Sequence, residues 1–228
     1  MDSALFTPVD IYCERLGPSF WAEPLNAVTN ASFLIAAWLA WRLIGHRRCG
    51  GALQARVLVT LVATIGIGSF LFHTVAVRWA ALADVIPIFI YQSPFLVFYL
   101  HQVAKARPLF VVCWFLAFLA VSFGFGALPG RWLNGSLSYA SALLFIAGLG
   151  IYHWKAGQHR PRFLIIASGV FIVSLVFRSI DMSVCDHLSI GTHLVWHLLN
   201  GVVLYLTTVA FIANLQPDTR GLSDEIES

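Results

Sequence analysis

The sequence predicts an all-α integral membrane protein, a seven-transmembrane helix bundle with its amino terminus outside and its carboxyl terminus in the cytoplasm. Three observations carry that prediction. Of 228 residues, 59% are hydrophobic and only 11% are charged, more apolar surface than a water-soluble domain of this length can bury. Apolar stretches close to the ~20 residues that cross a hydrocarbon core recur along the whole chain. Lysine and arginine concentrate in alternate connections, the bias that sets orientation.

In order, the stretches are Ala27–Leu43, Val57–Val75, Ala80–Leu100, Leu109–Gly126, Ser136–His153, Phe163–Ile180 and Thr192–Ala213. Trp38, Trp41 and Trp154 near span ends fit interfacial anchors. Pro87 and Pro94 are expected to bend the third span. Ser136, Ser138, Ser141, Gly148 and Gly150 give the fifth span the small side chains of close helix packing.

With the amino end outside, the inner side receives Arg42, Arg47, Arg48, Arg56, Lys105, Arg107, Lys155, Arg160, Arg162 and Arg220, ten of the 14 basic residues. Arg15, Arg78, Arg131 and Arg178 remain outside. An even number of spans would scramble this alternation. The net charge of +3 therefore lies largely at the cytoplasmic face; it is a topology signal and implies neither nucleic acid nor an obligate protein partner. Residues 1–26 form an extracytoplasmic segment, 27–213 the helical domain and 214–228 a cytoplasmic tail. The opening MDSALFTPVD lacks the basic-then-apolar pattern of a cleaved signal and is expected to be retained.

The cysteines sort by compartment. Cys49, inside, and Cys113, within the fourth span, are expected to stay reduced. Cys13 and Cys185 both fall outside, where a disulfide persists. Sidedness alone leaves two readings open, a bond between them or two unrelated thiols.

Polar residues appear where lipid-soluble ones are expected in the stretch GSFLFHTVAVRWAALAD, Gly68 to Asp84. The second span runs outward, so His73 lies roughly 6 Å below its outer boundary, at ~1.5 Å per residue. Ser69 sits one turn deeper on the same face. Asp84 lies a similar distance into the third span. The last span opens GTHLVWHLLNG, with His193 and His197 again at i and i+4. Five polar groups from three helices thus share one depth. An ionisable side chain in the membrane costs at least ~2.5 kcal/mol on insertion scales, so Asp84 is expected to face a cavity or a partner.

Three histidines with an open position are the ligand set of a catalytic zinc site. The glutamate of the HExxH motif is missing between His193 and His197, which makes Asp84 the candidate general base. Water activated by such a metal attacks a carbonyl near pH ~7, and Ser69 is suited to hydrogen-bond the oxyanion. The other histidines, His46, His101, His153 and His159, fall on the cytoplasmic side, too far away to join; Asp186 and His187 lie in an outer loop and are not placed. Before the first span, Asp10, Glu14 and Glu23 bring three carboxylates beside a proline-glycine turn. They suit a hard cation such as calcium. Alternatively Glu23 only stabilises the first helix through its dipole.

Four blocks, DIYCER…WAEPLNAVTN, GIGSFLFH, the aspartate of ALADVIPI and DMSVCD…GTHLVWH, resemble the alkaline ceramidase family, part of the seven-transmembrane zinc hydrolase superfamily that includes adiponectin-receptor-like proteins. The resemblance covers the chain nearly end to end. It implies zinc held by His73, His193 and His197, with Ser69 and Asp84 around the activated water. It implies hydrolysis of ceramide or a related N-acyl lipid to a sphingoid base or other free amine and a fatty acid. It also implies a Cys13–Cys185 disulfide and a calcium loop matching Glu14 and Glu23. Counted from the cysteine, however, the family aspartate position falls on Ile11, with Asp10 one residue earlier, and an asparagine position falls on Leu16.

A lipid- or ligand-sensing receptor on the same scaffold is the alternative, although the short loops count against it. A haem protein would leave Asp84 and Ser69 without a task, and an ion carrier would need a polar relay crossing the membrane. The short loops and compact length suit a bacterial homologue in the inner membrane; in a eukaryotic cell an ER- or Golgi-type membrane is expected.

Overall fold

The computed structural model describes residues 4–45, 51–130 and 132–215. His46, Arg47, Arg48, Cys49, Arg131, Arg220 and the tail from 216 onward lie outside the described residues, so the expectations placed on them are not addressed by it. Seven helical segments are long and apolar enough to cross a membrane. The elements are α1 (Pro24–Thr29), α2 (Ala31–Gly45), α3 (Ala52–Val75), α4 (Arg78–Phe98), α5 (Pro108–Gly126), α6 (Ala140–Lys155), α7 (Phe163–Ile180) and α8 (His193–Ala213). Among the described residues the only extended pairing is an isolated bridge between Pro8 and Val77.

The first span begins earlier than its hydropathy suggests, because α1 and α2 together run from Pro24 to Gly45. Pro24 occupies the first helical position, where its missing N–H costs nothing. The exposed N–H groups of that first turn are satisfied from a distance. Both oxygens of Glu14 accept them, from Leu25 N at 2.7 Å and Asn26 N at 2.8 Å. A carboxylate far back in the loop thus does the work of a local cap.

α4 remains helical through Pro87 and Pro94 and then widens into one π turn, Tyr99–Val103. The second span starts at Ala52, ahead of the expected Val57, and the fifth is interrupted. Ser136–Tyr139 belong to a tight 3₁₀ stretch, Trp132–Tyr139, and the α-helix starts only at Ala140. Leu133, Asn134 and Gly135 all have positive φ, which no right-handed helix accommodates. Arg178 on α7 stabilises the break by donating to the Asn134 carbonyl and to Ser136 Oγ.

Round the bundle the order is α4, α3, α2, α8, α7, α6, α5, with α3 also touching α8. α8 is the most buried span and α5 the least, so α8 forms the centre while Leu109, Leu116 and Phe123 of α5 face outward. Trp38, Trp41 and Trp154 are all exposed; Trp41 and Trp154 lie near helix ends, as anchors should, whereas Trp38 sits at the middle of α2. Gly150 is a packing glycine, since a Cβ there would press on the α7 backbone at Leu164 and Ile165. Gly148 is not: a Cβ there would meet nothing within 4 Å. Of the serines expected to pack, Ser141 and Ser136 do so through hydrogen bonds from Ser122 and Ser179, whereas Ser138 is exposed and bonds only the Gly135 carbonyl.

One end of the bundle is gathered by the amino-terminal segment. Val9 N donates to Ala76 O and Arg78 N to Thr7 O, laying the segment across the α3–α4 turn. Cys13 and Cys185 are disulfide-bonded, with Cα atoms 5.4 Å apart, tying the same segment to the α7–α8 connection. Cys113 is free and exposed.

Candidate metal centre

His73 lies in the last turn of α3, His193 opens α8 and His197 follows one turn later. One nitrogen from each ring lies within 4.8 Å of the others. Ring centroids are 5.3 Å apart for His73–His193 and 4.6 Å for both His73–His197 and His193–His197. All three side chains are buried. His73 Nε2, His193 Nδ1 and His197 Nε2 have no hydrogen-bond partner. Each such orphaned buried nitrogen costs about 1–3 kcal/mol, and three converging lone pairs are what a cation needs. The donor set, three imidazoles, fits zinc with an open position.

The opposite ring nitrogens of His73 and His197 are engaged. His73 Nδ1 donates to Glu23 Oε2 at 2.6 Å. His197 Nδ1 lies 3.0 Å from Thr29 Oγ1. The Thr29 hydroxyl already donates to the Leu25 carbonyl at 2.7 Å, so it accepts from His197. Both bonds put the proton on Nδ1 and leave Nε2 as the free lone pair, the outer-shell arrangement that fixes a metal ligand's tautomer. Tyr12 stacks on His193 with centroids 3.7 Å apart. Burial raises the Tyr12 phenol well above its ordinary value, so a neutral ring covers His193.

α8 is aimed by Asp181, a fully buried carboxylate. Its Oδ1 accepts Thr192 N at 2.6 Å and His193 N at 2.9 Å, and its Oδ2 accepts Cys13 N at 3.1 Å. A negative charge on the first N–H groups of α8 matches the helix dipole, and the same residue joins α8 to the disulfide segment.

Ser69 and Asp84 reach the cluster through the contact of α3 with α4. A Cβ on Gly68 would overlap the Ala83 carbonyl, so only glycine lets the two backbones approach there. The contact sets Asp84 beside Ser69 and His73. Ser69 is buried and Asp84 half-buried. Asp84 does not belong to the group of three within ligand reach, so it borders the centre.

The three acidic residues considered for calcium are scattered in role. Asp10 is exposed. Glu14 is consumed by α1. Glu23 is buried and bonds Arg15 Nε at 2.5 Å, Asn26 Nδ2 at 3.1 Å and His73. Burial alone would push its carboxyl up, but the bonds from His73, Arg15 and Asn26 outweigh that and hold it below the ordinary value. Elsewhere, buried His153 is bonded to Tyr99 and to the His159 carbonyl and belongs to the packing. Asp186 and His187 are exposed.

Below the histidines a narrow cavity of about 50 Å³ runs between Phe33, Ile65, Tyr91, Trp196 and Asn200. It shares Gln92 with a cavity of about 260 Å³ bordered by Phe123 and Gly126 of α5. A larger space of about 360 Å³ is lined by Leu100, Trp114 and Tyr152, and none of these three cavities is lined by His73, His193 or His197.

Residue patterns alone did not reveal Thr29, Tyr12, Asp181 or the service of Glu23 to His73. The aspartate four residues before Cys185 was the one local signal, an ionisable group at the end of an apolar span.

Seven helices long and apolar enough to cross a membrane match a multi-pass membrane protein, and three buried histidines in it lie close enough to share one ion. The chain belongs to the ceramidase family, whose profile matches residues 12–222. Its activity class is accordingly hydrolysis of a lipid amide. No match was found among curated proteins.

Proposed function

We propose that this protein is a zinc-dependent amidase that hydrolyses ceramide or a related N-acyl lipid to a free amine and a fatty acid within the membrane. The observation that carries the reading is the set of three buried imidazole nitrogens, each without a partner, within reach of one another. His73, His193 and His197 hold the ion, and zinc bound there supplies Lewis-acid activation of water and carbonyl.

The remaining chemistry belongs to the chain. Asp84 orients the attacking water and accepts its proton, then passes it to the amide nitrogen as the C–N bond breaks. The Ser69 hydroxyl turns from Asp84 to the oxygen on which negative charge develops. Glu23 and Thr29 hold two of the ligands in the required tautomer. The alkyl chains enter by the apolar cavity below Trp196, which at about 50 Å³ has to widen to admit them. The distribution of basic residues places the histidine end on the extracytoplasmic side.

The test is metal analysis beside a screen of lipid amides. His73→Ala and His197→Ala are each expected to lose both zinc and amide cleavage. Full activity in a zinc-free His197→Ala sample overturns the mechanism. Zinc bound at one equivalent with no turnover of any lipid amide favours a receptor.

A further inference from the structure

The amino-terminal loop holds its own cation. Arg15 is buried and engages all three guanidinium nitrogens: Nε with Glu23 Oε1 at 2.5 Å, Nη1 with the Gly17 carbonyl at 3.0 Å and Nη2 with the His73 carbonyl at 3.2 Å. It therefore bridges the loop, the residue preceding α1 and the last turn of α3. Every oxygen of the two buried carboxylates that would ligate calcium already accepts at least one N–H donor. Glu14 gives one oxygen to Leu25 N and the other to Asn26 N, and Glu23 gives both oxygens to Arg15, Asn26 and His73. Asp10 stands apart and exposed. The buried oxygens without partners, Oδ1 of Asn26 and of Asn30, are neutral amides. Calcium needs about six to eight oxygens, several of them anionic, and a divalent ion here would also face the guanidinium. The loop does not fit calcium.

We infer that Arg15 stands in the place of a calcium ion, as a built-in cation that fixes Glu23 and through it orients His73 for its metal, so that the centre works without calcium. The order is guanidinium, carboxylate, imidazole, metal, and Arg15 is a positioning residue because it acts through Glu23. The last link rests on the zinc reading proposed above; the exclusion of calcium does not. Outer-shell partners of this kind typically contribute about 10–100-fold to metal affinity.

The test uses the full-length, detergent-solubilised protein. Calcium is titrated into the zinc-loaded form by equilibrium dialysis, with unfolding temperature followed in parallel. No saturable binding up to ~1 mM and no thermal shift are expected; a saturable site in the micromolar range overturns the inference. Zinc affinity is then measured by chelator competition, without substrate, for Arg15→Gln and Arg15→Lys. Arg15→Gln is expected to weaken zinc binding about 10–100-fold. Arg15→Lys should recover part of it, since it restores the charge but not the fork of donors. Parental zinc affinity in Arg15→Gln overturns the positioning role, and so does equal weakening in both variants, which is the mark of a merely structural loss. Should Arg15→Gln fail to fold, Arg15→Lys and the calcium titration of the unmodified protein still decide. Neither readout involves amide cleavage, so a failed substrate screen and a failed calcium exclusion are told apart.

Discussion

Replacing Glu23 by glutamine tests how far the loop governs the centre. The substitution keeps the shape and removes one negative charge from between a guanidinium and an imidazole. The side chains of Glu23 and Arg15 are both almost fully buried, 3% and 4% exposed, so solvent screening does not soften the loss. Leaving a buried ion without its partner costs about 3–5 kcal/mol. Here the lower end applies, because Arg15 keeps the Gly17 and His73 carbonyls. On the other side His73 Nδ1 exchanges a carboxylate for a neutral amide, and a loss of about 10–100-fold in zinc affinity follows, or about 1.4–2.7 kcal/mol. Two assays separate the effects, thermal unfolding of the metal-free protein and chelator competition for zinc. The parental protein should add a pH signature. The folded Glu23 carboxyl lies below its ordinary 4.5, so its contribution is complete above pH 4.5 and falls away as pH drops through the lower folded value; in Glu23→Gln that acid dependence shrinks. Parental stability together with parental zinc affinity in Glu23→Gln would refute the reasoning.

Gly68→Ala should separate α3 from α4, since its methyl group meets the Ala83 carbonyl and a backbone atom cannot turn aside. A destabilisation of about 1–3 kcal/mol is expected, with activity falling further than zinc content, measured on one preparation. Asp84→Asn should retain zinc while kcat for amide cleavage falls at least ~100-fold, because Asp84 borders the ligands and is not one of them; loss of stoichiometric zinc would show instead that it binds the metal.

Most of the fold was legible because membrane insertion is a local property. A run of apolar residues declares a span whatever its neighbours do, and the seven stretches match seven helices to within a few residues at most ends. The exceptions have non-local causes. α1 starts at Pro24 because Glu14 reaches it from the loop, and the fifth span is interrupted up to Tyr139 because Arg178, from another helix, binds the Asn134 carbonyl.

The histidine cluster shows the same division. Helical spacing places His193 and His197 on one face, and depth counting brings His73 and Asp84 level with them, since rise per residue is fixed by the backbone alone. Which nitrogen of each ring is free, and which group holds the other, depends on a loop that crosses the bundle end without periodicity. Glu23 read as a calcium candidate from its charge, its place in the loop and the resemblance, none of which shows that Arg15 and His73 face it. Sequence by itself determined the helices, their depths and the residues able to bind a metal. Only the tertiary structure decided that Glu23 answers to an imidazole and a guanidinium, because partner choice for a buried charge is settled by side chains converging from separate segments.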